Sequence, residues 1–321
     1  MRDPFFMMLR RSLNTFMNAF TSSDWTAYPF ASQNRKDFNN LLQVYLDAVF
    51  FSRLDPLDFA QEGHRVEFSE PENPDSDLVF KGVVFNEMKG AMSSISSTLW
   101  STLCENLFPT STYHYNSGGD PQHIPDLTYA QLQAFYRSHY HPTNAIFMTF
   151  GDIEASEHQS VFEEKALCHF EKLSEKIQVQ PEQRLLKPQR VQSPYIFDEN
   201  DTTDHKTHLV IGWMLGESSD LKQLLEAQLL SSVLLDNSAS PLQHALETTE
   251  LGRAPSPLCG LEDSMRELVF SCGIEGSEAE HADALEDMVL AVLERVALEG
   301  VSQQRLEAVL HQLELHQREV T

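Results

Sequence analysis

The chain has 321 residues, of which 41% are hydrophobic and 22% are charged. This length and composition allow a large core and two domains, which excludes a disordered chain as the default interpretation. The formal net charge of −25 would repel the phosphates of a nucleic acid and favours cationic partners such as basic peptides. Acidity that only maintains solubility is the simpler alternative.

Cysteine spacing and hydropathy indicate which further classes of protein are not expected. The four cysteines, Cys104, Cys168, Cys259 and Cys272, form no C-x-x-C pair, so neither a structural zinc site nor a disulfide framework is indicated. We therefore expect a reducing compartment. No apolar run approaches the length needed to span a bilayer, and the first residues lack the order of a secretory signal. We expect no membrane association, while a transit peptide preceding Met1 stays open.

The first half of the chain alternates between helical periodicity and short strand patterns. Helices are predicted at residues 5–18, 36–51, 80–107, 128–140 and 156–173, and strands at residues 24–30 and 145–150. The acidic stretch 69–77, with prolines at positions 71 and 74, predicts a loop.

A similar order of elements follows a proline-containing stretch at residues 178–194. Strands are predicted at residues 205–215 and 267–273, and helices at residues 221–235, 282–298 and 302–320. Helices and strands in mixed order indicate an α+β fold in which sheets are covered by helices. We predict a first domain at 1–177, a linker at 178–194, a second domain at 195–300 and a helical segment at 301–321.

Several runs of residues carry a family resemblance. They include residues 3–6 (D-P-F-F), 11–21, 24–30 (D-W-T-A-Y-P-F) and 83–90 (V-V-F-N-E-M-K-G), and shorter runs at 116–121, 140–145 and 311–319. Together they resemble the presequence protease branch of the insulinase/pitrilysin superfamily of zinc metallopeptidases. The resemblance spans essentially the whole chain. It implies two homologous domains, each a mostly antiparallel sheet covered by helices, which form one half of a clam-like peptidase.

The resembled enzymes bind zinc through an H-x-x-E-H helix, whose two histidines hold the ion while the glutamate activates water. The sequence contains no H-x-x-E-H; the nearest run, residues 64–68 (H-R-V-E-F), has Phe68 in place of the second histidine. Its local pattern is typical of a strand or loop. In the family the motif lies on the order of ten to twenty residues before D-P-F-F. The resemblance therefore implies that Met1 follows the catalytic helix and that residues 301–321 begin a hairpin to a second half.

The N-E-M-K-G run implies a role for Glu87 as the third zinc ligand, although a solvated helix glutamate is the simpler interpretation from the residues alone. Two imidazoles and one carboxylate leave a fourth zinc position open for water. The D-P-F-F-x-x-L run implies that Phe5, Phe6 and Leu9 line an apolar pocket near the metal. Core packing is the alternative for these three residues, and both roles are compatible because packed apolar groups wall such pockets.

The resemblance also implies that Asn18, Ala19 and Phe20 precede a strand whose edge pairs with the substrate backbone. Main-chain pairing of this kind tolerates many peptide sequences. The alternative is a helix end that leads into an internal strand. Trp100, placed on the same predicted helix as Glu87, could wall the same cleft, although a buried tryptophan is more often part of the core.

These observations predict a zinc metalloendopeptidase that degrades unstructured, cationic peptides such as targeting presequences. The chain would supply an incomplete N-terminal half that is inactive alone, with Zn²⁺ as the cofactor of the complete enzyme and the second half as its partner. The alternative is a superfamily member without catalysis that serves as a peptide-binding or structural partner subunit. The expected location is the cytoplasm for a bacterial source and the mitochondrial matrix for a eukaryotic one.

Overall fold

The computed structural model describes residue 10, residues 12–196, residue 198 and residues 200–319. These residues form two units. The first unit contains the described residues up to Gly90 together with Asn116–Gln178, and the second contains Ala91–Tyr115 and the described residues from Val179 onward.

All strand pairs among the described residues are antiparallel. The strands are β1 (Phe16–Met17), β2 (Phe20–Thr21), β3 (Thr26–Ala27), β4 (Phe30–Ala31), β5 (Arg65–Phe68), β6 (Leu78–Lys81), β7 (Thr207–Glu217), β8 (Ala254–Pro255), β9 (Gly260–Glu262) and β10 (Glu267–Ser277). The longer helices are α1 (Arg35–Phe50), α2 (Val83–Ala91), α3 (Ile95–Leu107), α4 (Tyr129–His139), α5 (Ala155–Lys165), α6 (Leu221–Leu235), α7 (Pro241–Thr248), α8 (Ala282–Glu299) and α9 (Gln303–Glu319).

Helix α1 organises the core of the first unit. Its N-cap is Asn34, whose side chain accepts a hydrogen bond from the Asp37 amide and so satisfies one of the free amides of the first turn. Apolar side chains recur along one face of the helix, as an amphipathic helix requires. Leu42, Leu46 and Phe50 of this helix form a buried cluster with Phe162 of α5 and with Ala166, the residue that follows α5.

The first unit also contains two hairpins with short strands. One joins β1 to β4 and β2 to β3 in a continuous register, with Phe16 opposite Ala31 and Phe20 opposite Ala27. Pro29 lies at the interruption between the two pairs, where it has no amide to donate to a ladder. The other hairpin pairs β5 with β6.

Strand β10 is the centre of the second unit. It pairs with β7 on one edge and with β8 and β9 on the other. Its residues are almost all buried, as is typical of a strand covered from both sides. Phe270, Cys272 and Ile274 face the cluster formed with α6, α7 and α8. Val269 belongs to a second cluster with Leu107 of α3.

The mixed helix and sheet prediction is confirmed, as are the helices predicted at 36–51, 128–140, 221–235, 282–298 and 302–320. The helix predicted at 156–173 ends early, at Lys165, and is followed only by a short 3-10 turn at Leu167–His169. Three further predictions were wrong. Residues 80–107 do not form one helix, because β6 ends at Lys81 and a break at residues 92–94 separates α2 from α3. Gly90, Ser93 and Ser94 are weak helix formers at that break.

The other two errors lie in the first unit. The described part of the helix predicted at 5–18 is not helical beyond residue 10, since β1 occupies Phe16–Met17 and pairs with β4. Residues 145–150 form no ladder with any described residue. The predicted domain boundaries stay a prediction. The units divide the chain differently, because residues 91–115, most of the predicted linker and the described residues from 301 onward all belong to the second unit.

Candidate zinc-ligand helix and peptide-binding edge

Glu87 lies in the middle of helix α2, which follows β6 after a single residue, Gly82. A Cβ atom at Gly82 would overlap the carbonyl group of Gly63 and come within 2.9 Å of the His64 Cα atom. Both obstacles are backbone atoms that cannot rotate away. The glycine therefore allows the close approach that turns the chain from the hairpin into the helix, and the Asn86 amide donates to the Gly82 carbonyl at 3.0 Å.

The Glu87 side chain is exposed, and it has no ion pair or side-chain hydrogen bond with any described residue. On the buried side of α2, Met88 packs inward. A free carboxylate of this kind can coordinate a metal ion, but a catalytic zinc site needs three protein ligands. No group of three or more potential ligands occurs in the described part of the chain. Glu87 thus fits the chemistry of a single ligand, and the described residues do not complete a site around it.

The H-R-V-E-F run at residues 64–68 has no metal-binding geometry. It lies mostly in strand β5, where a rise of about 3.3 Å per residue places positions four apart some 13 Å from each other. The His64 ring nitrogen Nε2 lies 2.8 Å from the Leu127 carbonyl oxygen, in a hydrogen bond. Glu67 accepts hydrogen bonds from Lys81 and Arg65, which hold the pKa of its carboxyl below the usual range. The prediction of a strand or loop here is confirmed.

Asn18, Ala19 and Phe20 lie in the hairpin of β1 to β4 rather than at the end of a helix. The Asn18 amide donates to the Pro29 carbonyl at 3.1 Å, and Phe20 is the first residue of β2. The Tyr45 hydroxyl of α1 donates to the Asn18 carbonyl at 3.2 Å and so fixes the hairpin on the helix. Sequence reasoning missed this role of Tyr45, because a hydrogen bond between residues 27 positions apart leaves no local signal in the sequence.

The hairpin has the feature that strand addition requires. Each of its strands pairs on one side only within the described part of the structure, so each has a free edge of main-chain groups. An extended peptide can add to such an edge through main-chain hydrogen bonds. Phe16 and Phe20 are both about half exposed, and their rings stack at a centroid distance of 6.1 Å. The hairpin therefore offers an apolar surface beside its free main-chain groups.

The other predicted substrate-binding residues lie neither on the Glu87 helix nor in the described part of the hairpin. Trp100 lies on α3 and not on the helix of Glu87, because the break at residues 92–94 divides the predicted helix. Its side chain packs against the cluster of Cys104, Leu107 and Val269 in the second unit, which favours the core interpretation. Phe5, Phe6 and Leu9 lie outside the described residues, so their pocket stays a prediction.

Comparison with known proteins defines the family. Residues 126–313, more than half of the chain, match the family model of the Peptidase M16 inactive domain. The chain therefore belongs to the M16 peptidase family.

Its curated relatives include the mitochondrial presequence protease of Xenopus tropicalis, which is 43% identical over 318 residues. That alignment covers 99% of this chain and 31% of the relative. The mitochondrial presequence protease of Schizosaccharomyces pombe is 38% identical over 317 residues, covering 98% of this chain and 32% of the relative. The chain thus spans about a third of the length of these proteins, and the predicted resemblance to the presequence protease branch is confirmed.

Solved structures agree on the fold. A protease from Helicobacter pylori superposes with a TM-score of 0.66 at 17% identity, covering 97% of this chain and 70% of the other. A peptidase M16 inactive domain from Pseudomonas fluorescens gives a TM-score of 0.64 at 14% identity, with 93% and 66% covered. At these identities the likeness shows the α+β fold of an M16 peptidase half and nothing about activity. Within the described residues, no helix combines the length and apolar character that a bilayer crossing requires.

Proposed function

We propose that this chain is part of a zinc metalloendopeptidase that degrades unstructured peptides such as targeting presequences. The observation that carries the proposal is the identity of 43% to a presequence protease over 99% of this chain. Because the chain spans only 31% of that relative, catalysis is assigned to the complete enzyme and not to the isolated chain.

Glu87 is the residue proposed to hold the metal. Its carboxylate is exposed and unpaired among the described residues, so it can reach an ion without first breaking an ion pair. Zinc, when bound, would supply a polarised water for attack on the peptide bond. The short connection through Gly82 fixes α2 relative to the preceding hairpin, and this fixed start keeps Glu87 in a defined position.

The hairpin of β1 to β4 is proposed to hold the substrate backbone. Its free edges offer main-chain donors and acceptors, and Tyr45 fixes it to α1. This recognition selects for extended chains rather than for sequence, which suits an enzyme that degrades unfolded peptides. The net charge of −25 favours cationic peptides by long-range attraction. Phe5, Phe6 and Leu9 are proposed to receive an apolar substrate side chain.

The location proposed is the mitochondrial matrix, because the relatives are named as mitochondrial presequence proteases. The second half of the peptidase is proposed as the partner of this chain, since the relatives are about three times as long.

A chimera tests the assignment of Glu87. This chain would replace the matching 318 residues of the Xenopus tropicalis protein, and a quenched fluorescent peptide would report cleavage. Glu87→Gln should lower both zinc content and kcat/KM, because the amide loses the charge that stabilises a divalent ion. Glu163→Gln is the matched control, since Glu163 is also an exposed glutamate on a helix of the first unit.

We expect a loss of about a hundredfold or more in kcat/KM for Glu87→Gln, as for removal of a metal-supporting group. The control should retain the activity of the unsubstituted chimera. Full activity with full zinc occupancy in Glu87→Gln would show that the ligand is misassigned. A chimera that binds zinc and folds but cleaves no peptide, even without a substitution, would contradict the proposed function itself.

A second candidate is supported by the sequence. Residues 126–313 match a family model described as the Peptidase M16 inactive domain, as expected for a superfamily member that binds peptides or supports an active subunit without catalysis. The same chimera separates the two functions, because a non-catalytic member would bind the peptide but leave the chimera inactive.

A further inference from the structure

The β5–β6 hairpin presents four apolar side chains on one face. Val66 lies opposite Phe80, and Phe68 lies opposite Leu78. Directly opposite residues share a face of a sheet, and so do alternate residues along a strand. Their exposed fractions are 55% for Val66, 37% for Phe68, 64% for Leu78 and 45% for Phe80. We call these four side chains the hairpin face.

The amphipathic pattern of this hairpin is the reverse of the usual one. The opposite face carries Arg65, Glu67 and Lys81, which are only partly exposed. There Glu67 forms ion pairs with Arg65 at 2.8 Å and with Lys81 at 2.9 Å. A two-sided antiparallel sheet normally turns its apolar face to the core and its charged face to water. The hairpin face is therefore an apolar surface that the described core does not use.

An acidic loop borders the hairpin face. Residues 69–77 connect the two strands, and the Ser69 amide donates to the Asp77 carbonyl at 2.7 Å, so the loop has a defined base. Four exposed acidic residues belong to it: Glu70, Glu72, Asp75 and Asp77. None of them forms an ion pair with another described residue. Their negative charge is therefore available to a partner.

We propose that the hairpin face docks a polypeptide segment that is both apolar and basic. Apolar side chains of such a segment would remove the hairpin face from water, and its lysines or arginines would meet the loop carboxylates. A second copy of this chain fits less well, because it would bring another acidic loop and a net charge of −25. The same charge disfavours nucleic acids and anionic membranes. The inference does not depend on peptidase activity.

The docking surface continues toward helix α2. The rings of Phe80 and Phe85 lie at a centroid distance of 6.2 Å, and Val83 and Val84 at the start of α2 are exposed beside them. A docked segment can therefore extend from the hairpin face toward the first turn of α2. Glu87 is not part of the proposed contact.

The first experiment removes the apolar contact. The probe is a fluorescein-labelled synthetic amphipathic peptide of lysine and leucine, and its anisotropy is measured during titration with the full chain. The double variant Val66→Ser/Phe80→Ser should weaken binding by at least about tenfold, because this opposite pair is central to the surface. Circular dichroism melting checks the fold. If the double variant does not fold, the single variant Leu78→Ser at the most exposed position provides the same test.

The second experiment separates local charge from net charge. The variant Glu72→Lys/Asp75→Lys reverses two loop charges, and Glu280→Lys/Asp287→Lys reverses two exposed charges of the second unit. Both variants change the net charge equally. We expect weaker binding of the Lys/Leu peptide for the loop variant and a change within about twofold for the other. Equal weakening by both would show attraction to overall charge and would overturn the docking site.

Two further results would contradict the proposal. The first is that the wild-type chain does not bind the Lys/Leu peptide, or binds a Glu/Leu peptide of the same pattern equally well. The second is a dimer of the wild-type chain in sedimentation velocity that Val66→Ser/Phe80→Ser dissociates, which would assign the surface to a second copy. Wild-type binding that both substitution pairs of the hairpin weaken, and the control pair does not, supports the proposal.

Discussion

Two segments of the chain, one in each unit, contain several large apolar side chains but differ in how much of them is exposed. Residues 145–150 (A-I-F-M-T-F) belong to the first unit, and β10 is the central strand of the second. In the first segment Ile146, Met148 and Phe150 are 83%, 91% and 104% exposed. In β10, Leu268 and Ile274 are fully buried.

Pairing explains the difference. Strand β10 has β7 on one edge and β8 and β9 on the other, so helices can cover both faces of a continuous sheet. Residues 145–150 have no ladder partner among the described residues, and only their inward side chains, such as Phe147, pack against α1 and α5. An apolar run thus indicates the capacity to be buried, while long-range pairing decides whether burial occurs.

The largest expected effect is a loss in the free energy of unfolding, and it should differ between the cores of the two units. Leu285→Ala removes a fully buried side chain beneath the four-stranded sheet, and Leu42→Ala removes a slightly exposed one in the first unit. We expect a loss of about 3–5 kcal/mol for Leu285→Ala and about 2–3 kcal/mol for Leu42→Ala, since the cost rises with the cavity left. Urea unfolding gives the total loss, and hydrogen exchange read by mass spectrometry assigns it to peptides from α8 or α1.

Hydrogen exchange of the wild-type chain compares the two cores directly. Peptides of α1 should exchange faster than peptides of β10 and α8. Equal protection of the two cores, together with equal losses for the two leucine variants, would remove the distinction between the units.

A smaller effect concerns Glu182, a buried residue of the segment predicted as a linker. Its carboxylate accepts hydrogen bonds from the Thr110 amide at 2.9 Å, the Thr110 hydroxyl at 2.7 Å and the Ser111 amide at 2.9 Å. Its own amide donates to Glu267 at 2.8 Å. Glu182→Gln should cost about 2–3 kcal/mol, because hydrogen bonds to a charged acceptor are lost and an amide group meets the Thr110 donors. Glu175→Gln, at an exposed site, is the control.

The effect of Glu182 should depend on pH. Burial raises the pKa of this carboxyl, but hydrogen bonds from Thr110, Gln183 and Ser111 outweigh burial and hold the pKa below its usual value. A lowered pKa in the folded state stabilises the fold above the unfolded value of about 4.3, and this contribution is lost as the pH falls through the folded value. The difference between wild type and Glu182→Gln should shrink below about pH 4. A constant difference from pH 7 to pH 3 would contradict this account.

Sequence reasoning succeeded where local pattern and tertiary structure agree. Apolar residues recur with helical spacing in α1 and α8, and α6 is rich in leucine. The predicted bounds of all three helices are within two residues of the observed ones. It failed at residues 80–107, where the apolar residues of β6 continue into α2 without a turn signal except Gly82. Helix α7 was missed, although Ser240 and Pro241 form a typical helix start.

The candidate site was predicted only through individual runs of residues. The helical pattern at residues 80–107 placed Glu87 on a helix, which is confirmed, while the ligand role implied by the N-E-M-K-G run stays a prediction. Apolar periodicity did not separate Trp100 from Glu87, because it continues across the break at residues 92–94 that places Trp100 on another helix and in the other unit. Nor could it show that Asn18 is fixed by Tyr45, a hydrogen bond across 27 positions.

The central claim is that the described residues contain one proposed zinc ligand, Glu87, and do not complete a zinc site around it. Its most direct test is the zinc content of the purified chain after dialysis, measured by mass spectrometry beside Glu87→Gln. We predict far less than one zinc ion per chain, no difference between the two proteins, and no peptide cleavage, because one carboxylate does not replace three ligands. One tightly held zinc ion per chain that Glu87→Gln removes, or cleavage that a chelator abolishes, would contradict the claim.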